Sequence, residues 1–521
     1  MFDLLITGGR LVDGTGTPWR CADVAVAGDR IAAVGRLKDR KARHRIDARG
    51  RIVCPGFIDV HSHADLSLIA GRWVDARLRQ GITTEVVGQD GLAYAPVTGP
   101  NLATWRRYLA GLNGDFPEVD WSWRSMADLM ERYQGRAANV VTLVPHGAVR
   151  VEVMGWAARP AETEELRAMQ DLVHQALDEG AAGLSTGLTY VPCSHATTGE
   201  MVALCEPVAA AGGILSIHLR SYGADLPAAL DEAIEMGRRS GVAVQVSHLR
   251  GTESCQPDYA RRLLEQIAAA RAEGIDVTFD VYPYTCGCGP LFSILPTWAQ
   301  AGGPDGMLER LADAVACERI AAEMAARPVD WSIYKVSNAP GTSTGAWEGH
   351  SLGDGAQATG LTPPAFALHL LRETGLNVTI VAEGGKPFDN ETMLRHPWGL
   401  VCSDGILVGS CPHPRGYGAF PRFLSRFARE GAQLRWEEAI HKITALPAAR
   451  LNLQDRGLVR LGMAADLVVL SPDEVADGAT YQDGRRPPTG IDWVLVNGHV
   501  AVEDGRAVGT TGGRALTPLS H

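Results

Sequence analysis

The chain has 521 residues, 45% hydrophobic and 21% charged, with a formal net charge of −11. This length suits a large barrel plus a smaller domain, and the acidic balance argues against nucleic acid or an anionic membrane as partner. Ten scattered Cys without a C-x-x-C pair read as small core residues in a reducing compartment, so a cytoplasmic protein is expected. Met1 to Gly14 lacks a basic leader and an apolar signal core, and no uninterrupted apolar run reaches the ~18 residues of a membrane span.

Residues 1 to about 50 alternate short apolar runs with Gly-rich turns: Leu4–Thr7 before Gly8-Gly9, Val24–Val26 before Gly28-Asp29, and Ile31–Gly35. A similar pattern recurs at Ala465–Leu470, Trp493–Gly498 and His499–Val502. These are antiparallel strand signals, and the two ends are expected to form one small β-sandwich over 1–54 and 455–521.

Between them, eight apolar runs alternate with helical stretches. They are Ile52–Val60, Thr84–Gly88, Ala138–Val144, Ala182–Thr186, Gly213–His218, Val242–His248, Asp276–Tyr282 and Gly399–Asp404. Amphipathic helices are expected at 161–179, 227–239 and 259–272. Continuous apolar strands separated by such helices indicate parallel β/α units, and eight of them predict an α/β fold, a (β/α)8 barrel over 55–454. The connection at 285–397 is unusually long, with helices at 308–326 and 364–374 and a strand-like run at Val378–Ala382. A lid-like insertion, centred on about 285–350, is expected over the barrel mouth.

Functional groups of such barrels gather at the C-terminal ends of strands. The first run ends in His61-Ser62-His63, the second is followed by Gln89-Asp90-Gly91, and the fifth, sixth and eighth end in His218, His248 and Asp404. Residues two apart on a strand share a face, so His61 and His63 project together, and converging imidazoles make a metal site with zinc as the expected ion. Asp90 reads either as a further ligand or as a plain turn residue before Gly91. His146, after the third run, reads either as pocket lining or as a core histidine; the remaining His, including His441 and His521, lack a strand-end context.

These residues carry a resemblance to the amidohydrolase superfamily, in the stretch Pro55-Gly56-Phe57-Ile58-Asp59 with His61 and His63. Within it the chain resembles the N-acyl-D-amino-acid deacylases, through Gly183–Tyr190, Ser247–Arg250, Asp280–Tyr284, Ser403–Gly405 and His413–Gly416. The resemblance implies one or two Zn2+ ions and hydrolysis of a linear amide on a D-configured amino acid. It implies that His218 and His248 hold the tight metal, and that His61 and His63 hold a second site. It makes Asp404 the general acid/base, sets Arg415 with Tyr190 on the substrate carboxylate, and puts Arg250 where a Lys is frequent and Tyr282 near the scissile carbonyl. Two departures stand out. Asp90 occupies the place of a bridging Cys ligand, and Cys288 that of a substrate-binding Ser. A carboxylate can bridge two zinc ions, with a harder donor.

Two rival chemistries share the expected fold. Cyclic-amide hydrolases bridge their metals through a carboxylated Lys after the fourth strand, but no Lys lies between residues 42 and 334. A mononuclear deaminase needs only the His-x-His, a later His and the final Asp, and leaves Arg415 and Tyr190 without purpose. A small-molecule substrate is expected on either reading, and an oligomer is open.

Overall fold

A computed structural model describes residues 1–252, 258–509 and 511–518, so His521 and the last part of the expected sandwich segment lie outside the described residues. Four strands of the N-terminal segment form one sheet in the order Arg30–Gly35, Asp23–Ala27, Phe2–Thr7, Ala42–Asp47. A second, seven-stranded sheet joins the two ends of the chain where Leu467–Leu470 pairs antiparallel with Ile52–Pro55. Leu4, Ile6, Val24, Val26, Val53, Leu467 and Val469 fill the core between the sheets, the inward half of each alternating strand.

The barrel strands are β1 (Phe57–Asp59), β2 (Ile82–Val87), β3 (Asn139–Thr142), β4 (Gly183–Gly187), β5 (Ile214–His218), β6 (Ala243–Val246), β7 (Val277–Val281) and β8 (Gly399–Val401). All sequential pairs are parallel, with β3 breaking at Leu143 before Val144-Pro145 takes up the pairing with β4. The seam between β8 and β1 is closed by the Asp404 N–H donating to the His61 carbonyl at 2.8 Å and by the Ser403 N–H donating to Asp59 Oδ1 at 2.9 Å.

The apolar run Ile52–Val60 is not one strand, as its composition suggests. Ile52–Pro55 belongs to the sandwich and Phe57–Asp59 to the barrel, and the chain changes sheets at Gly56, where a Cβ would run into Thr83. His61 and His63 therefore lie just past the strand. The helix expected at 308–326 is two, Gly303–Ala312 and Ala314–Ala325. Asp313 divides them in extended backbone, its carboxylate capping the second helix by accepting the Ala316 N–H at 2.7 Å.

The long connection carries an antiparallel sheet in the order Gly287–Pro290, Thr379–Ala382, Tyr334–Asn338, which walls one side of the cavity at the barrel mouth. At the opposite end, the C-terminal segment runs beside β3, with Val140 N–H donating to the Arg514 carbonyl and Leu516 N–H to the Val140 carbonyl. Asp466 is buried there. It pairs with Arg456, accepts from Asn139 Nδ2 at 3.0 Å and from the Asn497 N–H at 2.6 Å, and Asn497 in turn donates to Asn139 Oδ1 at 2.7 Å. Among the described residues no helix is long and apolar enough to cross a membrane.

Candidate metal centre and active site

Asp90 sits in a tight turn after β2 that only unusual backbone permits: Gly88, Asp90 and Gly91 all have positive φ. The Gly91 N–H is fixed by Ser185 Oγ at 3.0 Å. His248 and Asp404 also adopt positive φ, at 34° and 47°. Non-Gly residues pay roughly 1 kcal/mol or more for this, and the surrounding fold imposes it on three polar residues of one site.

The turn aims the Asp90 carboxylate among four imidazoles. Its Oδ1 lies 3.6 Å from His61 Nε2, and its Oδ2 lies 3.7 Å from His63 Nε2, 3.6 Å from His218 Nδ1 and 3.8 Å from His248 Nε2. These separations exceed hydrogen bonds and resemble those of two ligands sharing one ion at about 2.1 Å each. Two donor triads result, His61–His63–Asp90 and Asp90–His218–His248, and Asp90 is common to both. Of the expected ligands, the one weighed against a turn residue thus stands at the centre.

All six polar groups, Asp404 included, are buried. Both ring nitrogens of His61, Nδ1 of His63 and Oδ1 of Asp90 have no hydrogen-bond partner among the described residues. Buried polar atoms are rarely left so, and here they point into one space, which fits a metal-binding donor set. Burial lowers the proton affinity of His61, and brings His218 down to about 4 against the opposing pull of Asp90, which keeps these rings neutral as ligands must be.

Asp404 stands beside this group, Oδ1 at 3.3 Å from His63 Nε2 and 3.6 Å from His61 Nε2. Burial alone would raise its pKa. The Arg415 guanidinium, whose Nη1 donates to Asp404 Oδ2 at 2.7 Å, and the neighbouring imidazoles outweigh burial and hold the carboxyl well below the usual carboxylate range. This Arg415–Asp404 pair is not evident from sequence. Arg415 also lies over the Tyr282 ring at 4.4 Å, and Arg250 over the same ring at 5.8 Å. Arg415 Nε is buried without a partner among the described residues.

The predicted residues line one cavity of about 190 Å³: His63, Asp90, Tyr190, His218, His248, Arg250, Tyr282, Cys288, Asp404 and Arg415. His61 lies buried directly behind them. Burial pushes the Cys288 thiol up to about 12, so it is a protonated, small wall residue and not a thiolate nucleophile. Asp59 accepts the N–H groups of His61 and Ser403 and fastens the seam. His146 does not reach the cavity; it is buried between Thr186 Oγ1 at 2.8 Å and Glu200 Oε1 at 3.2 Å.

Other participants come from positions that strand-end reading does not single out. Thr189 Oγ1 contacts His218 Nε2 at 2.8 Å, which sets the orientation of that ring. Tyr222, in the loop after β5, packs its ring 4.7 Å from His218 and 5.3 Å from His248. Asp280, near the end of β7, accepts the His248 N–H at 2.7 Å.

The profile of the amidohydrolase family matches residues 45–502. The chain is 34% identical to a D-aminoacylase of Alcaligenes xylosoxydans xylosoxydans, over 99% of its own length and 97% of the relative. From the same organism, an N-acyl-D-glutamate deacylase is 34% identical over 95% and 93%, and an N-acyl-D-aspartate deacylase 33% identical over 99% and 95%. Among solved structures, the N-acyl-D-glutamate deacylase of Bordetella bronchiseptica, complexed with zinc and a phosphonate mimic of the tetrahedral intermediate, superimposes with a TM-score of 0.85 at 32% identity, covering 99% of both chains. A D-aminoacylase with a binuclear metal centre does so with a TM-score of 0.84 at 32% identity, covering 99% of this chain and all of the other. The fold is thus that of a metal-site β/α barrel hydrolase with a β-sandwich. The chain belongs to the amidohydrolase family.

Proposed function

We propose that the protein is a zinc-dependent amide hydrolase that splits N-acyl-D-amino acids into a carboxylate and a D-amino acid. The observation that carries this reading is the pair of donor triads sharing Asp90, set beside a carboxylate and two guanidiniums at one cavity. On this reading residues 55–454 form the catalytic unit, and 1–54 with 455–521 the sandwich that supports it.

His218, His248 and Asp90 would hold one ion, and His61, His63 and Asp90 would hold a second. Zinc held there supplies Lewis acidity toward the amide carbonyl and a more acidic water. The chain's own groups do the rest. Asp404, kept ionised, takes the proton of the attacking water and returns it to the departing nitrogen. Arg415 and Arg250 grip the substrate carboxylate, with Tyr190 beside them, and a guanidinium can do so in bidentate fashion. Tyr282 keeps both guanidiniums in place from below and faces the scissile bond. The cavity, of about 190 Å³, is of a size for a small molecule.

A hydrolysis panel tests the reading: N-acetyl-D- and N-acetyl-L-amino acids beside hydantoins, dihydroorotate and nucleobases. Turnover of the D-series is expected. Turnover confined to nucleobases or cyclic amides would sink the proposal. The absence of any Lys between residues 42 and 334 weighs against the carboxylated-Lys centre of the cyclic-amide enzymes.

A further inference from the structure

Gln89 precedes Asp90 in the turn after β2. It is buried, and both ends of its side-chain amide are engaged. Nε2 donates at 2.8 Å to the carbonyl of Val60, the residue before His61. Oε1 accepts at 2.8 Å from Ser216 Oγ, on β5 two residues before His218. Residues two apart on a strand share a face, so Ser216 lies on the same wall as His218, one step below it. Ser216 Oγ lies in turn 3.2 Å from Oγ of Ser247, the residue before His248. Both serines are buried.

The direction of this run is set by chemistry. A backbone carbonyl only accepts, so the amide nitrogen faces Val60 and the amide oxygen faces Ser216. The single hydroxyl proton of Ser216 goes to Gln89, so Ser247 is the donor to Ser216. Three hydrogen bonds thus lead from Ser247 through Ser216 and Gln89 to Val60. Its members adjoin every segment that carries a triad donor: Val60 leads into His61 and His63, Gln89 into Asp90, Ser216 into His218 and Ser247 into His248. The other holds on the turn are on its backbone. Asp65 Oδ1 accepts the Gly88 N–H at 3.0 Å, and Ser185 Oγ the Gly91 N–H at 3.0 Å. Neither of those bonds reaches β5 or β6. The planar amide of Gln89 does, and its two ends hold Val60 and Ser216, and with them the two triads, at a fixed separation.

We infer that Gln89 is a positioning residue of the metal centre: its amide is the spacer that keeps β1 and β5 at the distance at which Asp90 serves both triads. The inference rests on the metal reading of the site and not on the choice of substrate. Groups that orient the ligands of a metal, without touching it, govern its affinity because the donors must converge before the ion arrives.

The test is the zinc affinity of the full chain by chelator competition, with the visible spectrum of the Co2+-loaded protein as a report of ligand geometry. Gln89→Met keeps the length of the side chain and removes both of its bonds. It is expected to weaken zinc binding at least about tenfold and to shift the Co2+ bands. Ser216→Ala removes the link to β5 and β6 for the loss of one oxygen, and should weaken zinc binding by a smaller factor. Because both act through one run of bonds, the double variant should bind zinc no more weakly than Gln89→Met alone. A role in packing alone would lower the thermal midpoint and leave affinity and spectrum as in the wild type; that outcome in a folded Gln89→Met overturns the inference. Should Gln89→Met fail to fold, Ser216→Ala decides, and wild-type affinity and spectrum in that variant overturn it. Additive losses in the double variant overturn it as well. A wild type that binds no zinc overturns both this inference and the metal reading. Zinc binding without turnover of any N-acyl-D-amino acid removes the deacylase reading and leaves the role of Gln89 standing.

Discussion

Two buried polar clusters sit at opposite ends of this barrel, and they differ in one respect. At the closed end, Asp466, Arg456, Asn139 and Asn497 answer one another: each carboxylate oxygen and side-chain amide has a partner, and none of these four residues leaves a buried polar atom unmatched. At the mouth, His61, His63 and Asp90 are as deeply buried and keep unmatched nitrogens and an unmatched oxygen. The first cluster joins sandwich to barrel and is complete. The second is completed only by a ligand. Burial and charge alone do not distinguish these two clusters; unmatched donors and acceptors converging on one space do.

Substitutions at the two ends should therefore separate activity from stability. Asp404→Asn should lower kcat per folded molecule about a thousandfold or more with zinc content by atomic absorption near wild type, while the loss of the charged partner of buried Arg415 lowers the thermal midpoint as well. Near-normal turnover would remove Asp404 from proton transfer. At the other end, Asp466→Ala leaves Arg456 buried without its partner, and urea unfolding should show a loss of about 3–5 kcal/mol while kcat per folded molecule stays within about twofold. A large kcat effect without a stability effect would break the comparison.

Chelation sharpens it further. A ligand that binds only the folded state at a hundred times its Kd contributes about 2.7 kcal/mol, so removing zinc should lower the melting temperature of the wild type. The same treatment should shift an Asp90→Ala protein much less, because that protein has lost the donor shared by both triads. Equal shifts in the two would take Asp90 out of the metal site. The smallest effect is expected for Asp90→Cys, which keeps a donor at the same place. Its activity should stay within about tenfold of wild type, against a drop of at least about a hundredfold for Asp90→Ala.

The barrel strands were legible because parallel strands buried on both faces read as continuous apolar runs. The same property concealed the break at Gly56, since Ile52–Pro55 and Phe57–Asp59 are both buried and the hydropathy runs on across it, although Pro55-Gly56 is a break signal. The split at Asp313 was concealed by a helical period that continues past it, although a capping Asp was present to signal it. In the site, His61, His63, His218, His248 and Asp404 could be found because each terminates an apolar run. Tyr222 and Thr189 could not, because they act from loops whose course depends on tertiary packing. Nor could the Arg415–Asp404 ion pair, which requires the intervening loop to fold back on itself. The Asp90 turn was readable as a turn; only its neighbours in space make it the shared donor.

The seam between β8 and β1 gives the order of synthesis a chemical meaning. Every donor of the two triads has left the ribosome once residue 248 has emerged, whereas Asp404 comes much later and is brought in by the same backbone bond, Asp404 N–H to His61 carbonyl, that shuts the barrel. On the proposed roles, a nascent chain halted before β8 carries the groups that would capture an ion but not the carboxylate that would move the proton. Competence to hydrolyse would then be acquired last, in the act of closing the ring.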